Sequence, residues 1–138
     1  MKQLISAVTI VVTSYDEALE FFVGTLGFDL IEDTRLSANK RWVLVAPKGA
    51  VGTRLLLAEA ANNDQRAAIG MQTGGRVFLF LQTDDFYRDY EVYLSKGVEF
   101  QEKPRSEEYG TVAVFRDPFG NLWDLVEHKV TGPERTTS

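Results

Sequence analysis

The chain carries the same pattern of secondary-structure signals twice. A helix start at Asp16 precedes Gly27 by eleven residues, and a second helix start at Asp85 precedes Gly97 by twelve residues. Two further pairs of segments align between the copies: VLVAPKG (43–49) with VFRDPFG (114–120), and LLLAE (55–59) with LWDLVE (122–127). Two copies at a spacing of about 70 residues are too few and too long for a solenoid. We therefore expect two modules that pack as a pseudo-symmetric pair.

Each copy begins with an apolar, strand-like run, continues with a helix, and then has three further strand-like runs. In the first copy, Ser14 and Glu17 form the signature of a helix N-terminus, and Gly27 is typical of a helix end. The pattern therefore predicts a single α+β domain over residues 1–128, made of two tandem βαβββ modules. The expected boundaries are about 1–60 for module 1, about 61–75 for a polar, Gly-rich linker, about 76–128 for module 2, and 129–138 for a disordered tail.

The composition excludes several classes of function. The formal net charge is -5, from 15 Lys and Arg against 20 Asp and Glu, and the sequence has no run of basic residues. Nucleic acid is therefore not an expected partner. The chain has no Cys, which excludes disulfides and thiolate chemistry. The start MKQLISAVTIVV is interrupted by Ser6 and Thr9 and indicates a first strand, so we expect a cytoplasmic protein with no membrane partner.

Four stretches of the sequence together resemble one known family. They are DEALEFF with LGF, RWV with the following PKG, the pair Tyr109-Gly110, and FRDPFGNLW. In this combination, on a duplicated βαβββ pattern, the chain resembles the vicinal oxygen chelate superfamily, which includes glyoxalase I, extradiol dioxygenases and bleomycin-resistance proteins. The resemblance implies that the two modules form a cupped mixed sheet, the glyoxalase-like fold, with the functional groove inside it. It also implies a homodimer.

The same resemblance assigns four positions to metal ligands, on the first and last strands of each module. In this sequence the four positions hold Ala7, Leu56, Phe78 and Asp124, and only Asp124 can coordinate an ion. A divalent cation requires several oxygen or nitrogen ligands. His128 shares the alternation of Asp124, but four strand residues span roughly 13 Å, which is too far for a shared ion. We therefore expect no metal and no cofactor.

The remaining groove residues are predicted from strand alternation and from the repeat. If Phe78 faces the groove, then Phe80 and Gln82 face it as well. The alignment of the two copies places Trp42 and Phe115 on one wall. The predicted ligand-binding residues are Thr9, Trp42, Arg54, Phe78, Phe80, Gln82, Tyr109, Phe115 and Asp124. For each aromatic ring, a position in the core is the alternative.

Asp124 has two interpretations, because a carboxylate between apolar neighbours must be hydrogen-bonded or paired. It either contacts a ligand or acts as a catalytic base, or it pairs with Arg54 or Arg41. The sequence favours a groove that binds a small amphipathic, aromatic or cationic molecule without a complete metal site, as in the resistance-protein class. One alternative is a lyase, isomerase or dioxygenase-type enzyme that uses Asp124 as a base or in an atypical metal site. Another is a dimeric scaffold whose groove is filled by its own side chains.

Overall fold

The computed structural model of the chain describes residues 1–49 and 51–130. Module 1 contains β1 (Ala7–Val12), α1 (Tyr15–Leu19) with a π-helical extension (Glu20–Thr25), β2 (Asp29–Arg35), β3 (Arg41–Ala46) and β4 (Arg54–Glu59). The linker contains α2 (Asn63–Ala68). Module 2 contains β5 (Val77–Gln82), α3 (Phe86–Ser95), β6 (Glu99–Phe100), β7 (Arg105–Glu107), β8 (Gly110–Arg116) and β9 (Leu122–His128). Most of the predicted tail lies outside the described residues.

The two modules form mixed sheets with the same strand pairing. The strand order is β1-β4-β3-β2 in module 1 and β5-β9-β8-β6 in module 2, where β7 also pairs with β8. In each module the first strand runs parallel to the last one, and the other neighbours are antiparallel. The prediction of an α+β protein with two tandem βαβββ modules is therefore confirmed, with β7 as an addition to module 2. None of the described helices is long and apolar enough to cross a membrane.

The helices begin and end where the sequence signals indicate. The Ser14 hydroxyl accepts a hydrogen bond from the Glu17 backbone N–H at 3.2 Å, and the Asp85 carboxylate accepts one from the Arg88 N–H at 3.2 Å. These side chains satisfy N–H groups that have no partner within the helix. Gly27, with φ of 78°, follows the first helix, and a left-handed conformation of this kind ends a helix at little cost in a glycine.

A glutamate at the end of the last strand also holds the helix start in each module. The Tyr15 N–H donates to Glu59 Oε2 at 3.1 Å, and the Phe86 N–H donates to Glu127 Oε1 at 2.7 Å. A carboxylate at this end is favourable because the helix N-terminus carries a partial positive charge. The two modules therefore share the same glutamate-to-backbone hydrogen bond, which holds each helix against its sheet.

The helical faces of both sheets share one hydrophobic core. Phe22 and Phe28 of module 1 contact Trp123 of module 2, with ring centroids 5.7 and 6.3 Å apart. The Tyr93 hydroxyl donates to the Leu26 carbonyl oxygen at 3.1 Å and joins the modules a second time. Because the core lies on the helical side of each sheet, the opposite sides are directed away from it. We call these opposite sides the open faces.

The linker contacts both modules. Asn62 caps helix α2, and its side chain accepts a hydrogen bond from the Gln65 N–H at 2.8 Å. No apolar period runs through this helix, so the sequence pattern does not predict it. The Gln72 amide then pairs with the edge of β1, accepting from the Val11 N–H at 2.9 Å and donating to the Thr9 carbonyl at 3.1 Å. A glutamine side chain thus occupies backbone groups that a neighbouring strand would otherwise pair.

The DPFGN stretch forms a turn around one buried carboxylate. Asp117 is 3% exposed and accepts hydrogen bonds from the N–H groups of Phe119 and Asn121, both at 2.9 Å. It also accepts from the Asn121 side chain and from the indole N–H of Trp123, both at 3.0 Å. The turn between β8 and β9 is therefore tied directly to the core.

Candidate functional site

The open face of module 1 carries a cleft of about 400 Å³, which we call the Arg54 cleft. Trp42 is 38% exposed there, and Arg54 forms no ion pair with any described residue. Thr9 lies on the same face beside Leu56, but it does not line the cleft. The cleft is lined by Leu4, Ser6, Ala7, Trp42, Leu44, Val51, Gly52 and Arg54. It offers one cation and one large ring.

The open face of module 2 carries Asp124 in the middle of β9. Phe80 on β5 and Val114 on β8 are its neighbours in register, and Phe80 is 68% exposed. The Oδ1 atom of Asp124 is buried and has no hydrogen-bond partner among residues 1–49 and 51–130. Burial raises the pKa of this carboxyl, with Arg105 opposing the rise and Glu102 adding to it. The face therefore presents an unsatisfied acceptor beside an exposed ring.

Two charged residues next to Asp124 were missed by the sequence analysis. Arg105 Nε donates to Glu102 Oε1 at 2.9 Å, and Arg105 Nη1 lies 3.3 Å from Glu107 Oε2. The second oxygen of Glu102 accepts from the Val114 N–H at 3.0 Å. Arg105 is thus the cation whose charge opposes the rise in the pKa of Asp124, although it already forms ion pairs with Glu102 and Glu107. A three-residue strand such as β7 is too short for the alternation of apolar and polar residues to predict which face its side chains lie on.

Neither arginine proposed as the partner of Asp124 fills that role. Arg41 is bound on the helical side by Asp33 and Asp16, at 2.6 and 2.9 Å. Arg54 lies in the Arg54 cleft of the other module. Within one chain, therefore, neither arginine pairs with Asp124, and one oxygen of Asp124 has no partner among the described residues.

The prediction that Phe115 lines the groove is also wrong. Phe115 is 0% exposed and stacks on Trp123 in the core, with centroids 5.6 Å apart. The alignment of VLVAPKG with VFRDPFG is shifted by one residue: Val43 pairs with Leu57 as Ala113 pairs with Leu125. The alignment matched Pro47 with Pro118, but Pro47 is the first residue after β3 and Pro118 is the second residue after β8. A shift of one residue moves a side chain to the other face of a strand.

The other predicted ligand-binding residues are not all brought together. Phe78 lies where the pairing of β5 with β9 shifts register, and its side chain packs against the core. Gln82 is exposed at the end of β5. Tyr109 is 43% exposed in the turn before β8, with its ring 6.4 Å from that of His128. Of the predicted set, only Phe80 lies directly beside Asp124.

Metal ligands are not brought together on either open face. Among the described residues, no group of three or more His, Cys, Asp or Glu side chains could hold an ion. Ala7 and Leu56 have no donor atoms, and the same is true of Phe78. The donor set at the four positions assigned by the resemblance therefore does not fit a divalent cation.

Two tandem βαβββ modules, each with a mixed sheet and an open face, define a protein with the glyoxalase-like fold. Residues 4–125 match the Glyoxalase/Bleomycin resistance protein/Dioxygenase superfamily. The chain belongs to this family.

Relatives of known sequence or structure match over nearly their whole length. An uncharacterised protein of Shewanella frigidimarina is 54% identical over 128 residues, which cover 92% of this chain and 95% of the relative. A superfamily member from Sphaerobacter thermophilus has a TM-score of 0.74 at 30% identity, covering 92% of this chain and 98% of its own. TnmS3, an antibiotic binding protein from Streptomyces sp. CB03234, has a TM-score of 0.73 at 30% identity, covering 94% and 98%.

Proposed function

We propose that this protein binds a small amphipathic organic molecule with an aromatic part, without a complete metal site. The observation that carries the proposal is the buried Oδ1 of Asp124, which has no partner in the described chain and lies beside the exposed ring of Phe80. A buried acceptor left unsatisfied costs about 1–3 kcal/mol, and a ligand that donates a hydrogen bond to Asp124 removes this cost. The likeness to TnmS3, an antibiotic binding protein, supports binding as the function.

The class of ligand follows from the side chains on the two open faces. Asp124 favours a hydroxyl, amide or ammonium donor. Phe80 and Trp42 offer exposed ring surface, on which an aromatic group or an organic cation can stack. Arg54, without an ion pair in the described chain, favours an acceptor or an acidic group at the other end of the ligand. We therefore expect a molecule with polar groups at both ends of an aromatic body.

We propose further that the site is shared between two copies in a homodimer. The two modules bury their helical faces in one core through Phe22, Phe28 and Trp123. Their open faces are directed away from that core, so a second copy is needed to place an Arg54 cleft opposite Asp124. Apolar side chains exposed at residues Leu4, Ile5, Phe80 and Tyr109 support an interface beside the site.

A second function, enzyme catalysis, is favoured by the raised pKa of Asp124. Burial shifts this pKa upward, which makes the carboxylate a stronger base, as a lyase or isomerase requires. In that case Asp124→Asn abolishes turnover but leaves the ligand affinity within about threefold. For a dioxygenase-type enzyme with an atypical metal site, elemental analysis should find a stoichiometric divalent ion that Asp124→Ala removes.

The binding proposal is tested by isothermal titration calorimetry with naphthylmethylamine and its neutral analogue naphthalenemethanol. We expect the amine to bind more tightly, and we expect Asp124→Asn to weaken its binding at least about tenfold, or ~1.4 kcal/mol. Glu91→Gln is the matched control, because it removes the same charge from an exposed carboxylate on α3. Equal loss of affinity in both variants, or no binding of either probe to the wild-type protein, contradicts the proposal.

A further inference from the structure

A second cleft, of about 640 Å³, lies at the junction of the two modules, and we call it the seam cleft. Its floor is formed by Leu26 and Phe28 of module 1 and by Leu81 and Tyr93 of module 2, and all four are buried. Pockets for small molecules have volumes of about 300–1,000 Å³. Of the residues predicted to bind a ligand, only Gln82 lines this cleft. The seam cleft shares no lining residue with the Arg54 cleft, and neither Phe80 nor Asp124 lines it.

The rim of the seam cleft carries three cations, Lys48, Arg88 and Lys96, although the chain as a whole has a net charge of -5. Asp84 and Asp89 line it as well, and Asp29, which pairs with Lys48, is a third carboxylate at this rim. Arg88 is engaged by two of these carboxylates, at 2.8 Å from Asp84 and 2.9 Å from Asp89. Of the two lysines, Lys96 forms no ion pair with any described residue.

The ammonium groups of these lysines are incompletely satisfied within the described chain. Lys48 Nζ lies 3.6 Å from Asp29 Oδ1, in a pair whose side chains are 78% and 48% exposed. Lys96 Nζ donates to the Gly24 carbonyl oxygen at 3.4 Å, which is long for a hydrogen bond. An ammonium group has three donors, and exposed pairs of this kind contribute little to stability. Both lysines can therefore turn to a ligand at small cost.

The polar group on the floor is compatible with an anion. The Tyr93 hydroxyl donates to the Leu26 carbonyl oxygen at 3.1 Å, so its hydrogen is already used. Burial raises the pKa of Tyr93 to about 12, and the ring consequently carries no negative charge at neutral pH.

We propose that the seam cleft is a second binding site, for a small organic anion with an aromatic body, such as an aromatic carboxylate, sulfonate or phosphate monoester. The anionic group lies between Lys48 and Lys96, and the apolar body rests on the floor next to Phe28 and Tyr93. Lys48 follows β3 in module 1 and Lys96 ends α3 in module 2, so the bound anion joins the two modules. This site does not depend on ligand binding at Asp124.

The test is an NMR titration of the full-length, ¹⁵N-labelled protein with naphthalenesulfonate, compared with neutral naphthalenemethanol. We expect saturable shifts of the amides of Gly27, Thr83 and Lys96, and at least about tenfold weaker binding by a variant with both Lys48→Gln and Lys96→Gln. Salt at about 0.5 M should weaken binding to the wild-type protein, because it screens exposed charges. Lys40→Gln, at an exposed position that lines neither cleft, is the matched control and should leave the affinity within about twofold.

Three results would overturn the proposal. Shifts confined to amides around Trp42 and Arg54 would place the anion in the Arg54 cleft. Unchanged affinity in the double lysine variant would show that the rim charges do not bind it. Equal binding of the neutral alcohol would show that no anionic group is recognised. A melting temperature of the double variant within about 2 °C of wild type, as expected for surface substitutions, establishes that loss of binding is not loss of fold.

Discussion

The two modules use the same side chains to build their frames and different side chains on their open faces. Glu59 and Glu127 are equivalent, and each accepts a hydrogen bond from the first N–H of its module's helix. Three residues earlier in each strand lie Leu56 and Asp124, one apolar and one a carboxylate with a buried, unpartnered oxygen. The repeated positions thus hold each helix against its sheet, whereas the two open faces present different side chains at equivalent positions.

The connections before the last strands differ as well. In module 2, the turn between β8 and β9 is built around the buried carboxylate of Asp117, which accepts four hydrogen bonds. In module 1, the corresponding loop at 47–53 contains Lys48, which is exposed. A buried carboxylate therefore ties the connection of module 2 to the core, whereas Lys48 in the connection of module 1 faces solvent.

The largest effect should come from breaking this asymmetry. Asp117→Ala leaves four donors without their acceptor, two of them on side chains buried in the core, and we expect a loss of about 4 kcal/mol in the free energy of unfolding. Lys48→Ala in the corresponding loop should change that free energy by less than about 0.5 kcal/mol. Urea unfolding followed by circular dichroism measures both. A loss below about 1 kcal/mol for Asp117→Ala would show that the turn does not anchor the core.

The next largest effect tests whether Glu59 and Glu127 contribute equally to the stability of their modules. Glu59→Ala and Glu127→Ala each remove a carboxylate from a helix N-terminus, and each should cost about 1.5 kcal/mol. Glu91→Ala, at an exposed position within α3, serves as the control and should be nearly neutral. Chemical unfolding of the three variants decides the point. Costs that differ by more than about 1 kcal/mol between Glu59 and Glu127 would break the pseudo-symmetry of the frame.

The smallest of these effects on stability is expected for a substitution of Asp124. This substitution should raise the free energy of unfolding, whereas the preceding ones lower it. Burial raises the folded-state pKa above the ordinary value of 3.8, so the folded protein holds this proton more tightly than the unfolded chain does. The contribution of Asp124 to stability is therefore most favourable below pH 3.8, falls as the pH rises to the folded-state pKa, and remains a cost above it.

Asp124→Asn removes this ionisation and should raise the free energy of unfolding at neutral pH by about 1 kcal/mol. The gain should shrink as the pH is lowered towards 4. Denaturation curves recorded across this pH range, with Leu56→Asn as the counterpart in module 1, provide the measurement. Destabilisation by Asp124→Asn at neutral pH would mean that the carboxylate serves the fold.

The architecture could be predicted from the sequence because its signals are local and occur twice. Helix ends are signalled within a few residues, by the caps at Ser14 and Asp85 and by the glycines that follow the helices. The strands are indicated by the alternation of apolar and polar residues. The wall position of Phe115 could not be predicted in this way. It depends on how far the proline of each turn lies from the end of its strand, and alignment at the prolines shifted the strand by one residue.

The surroundings of Asp124 were less predictable for a different reason. Asp124 itself was found because a carboxylate within an apolar strand is unusual. Glu102 and Arg105 belong to a short irregular stretch and a three-residue strand, where no periodic pattern identifies the face of a side chain. Their contact with Val114 and their approach to Asp124 arise only when β7 folds back on β8.

The central claim is that the two open faces supply different parts of one ligand site across a homodimer. Trp42→Ala and Asp124→Ala should each abolish detectable calorimetric binding of naphthylmethylamine at the concentration used. When the two variants are unfolded together and refolded, about one quarter of the sites should bind again, because half of the dimers are mixed and each has one intact site. Wild-type affinity at that fraction of sites is the predicted result. No recovery of binding in the mixture would contradict the account.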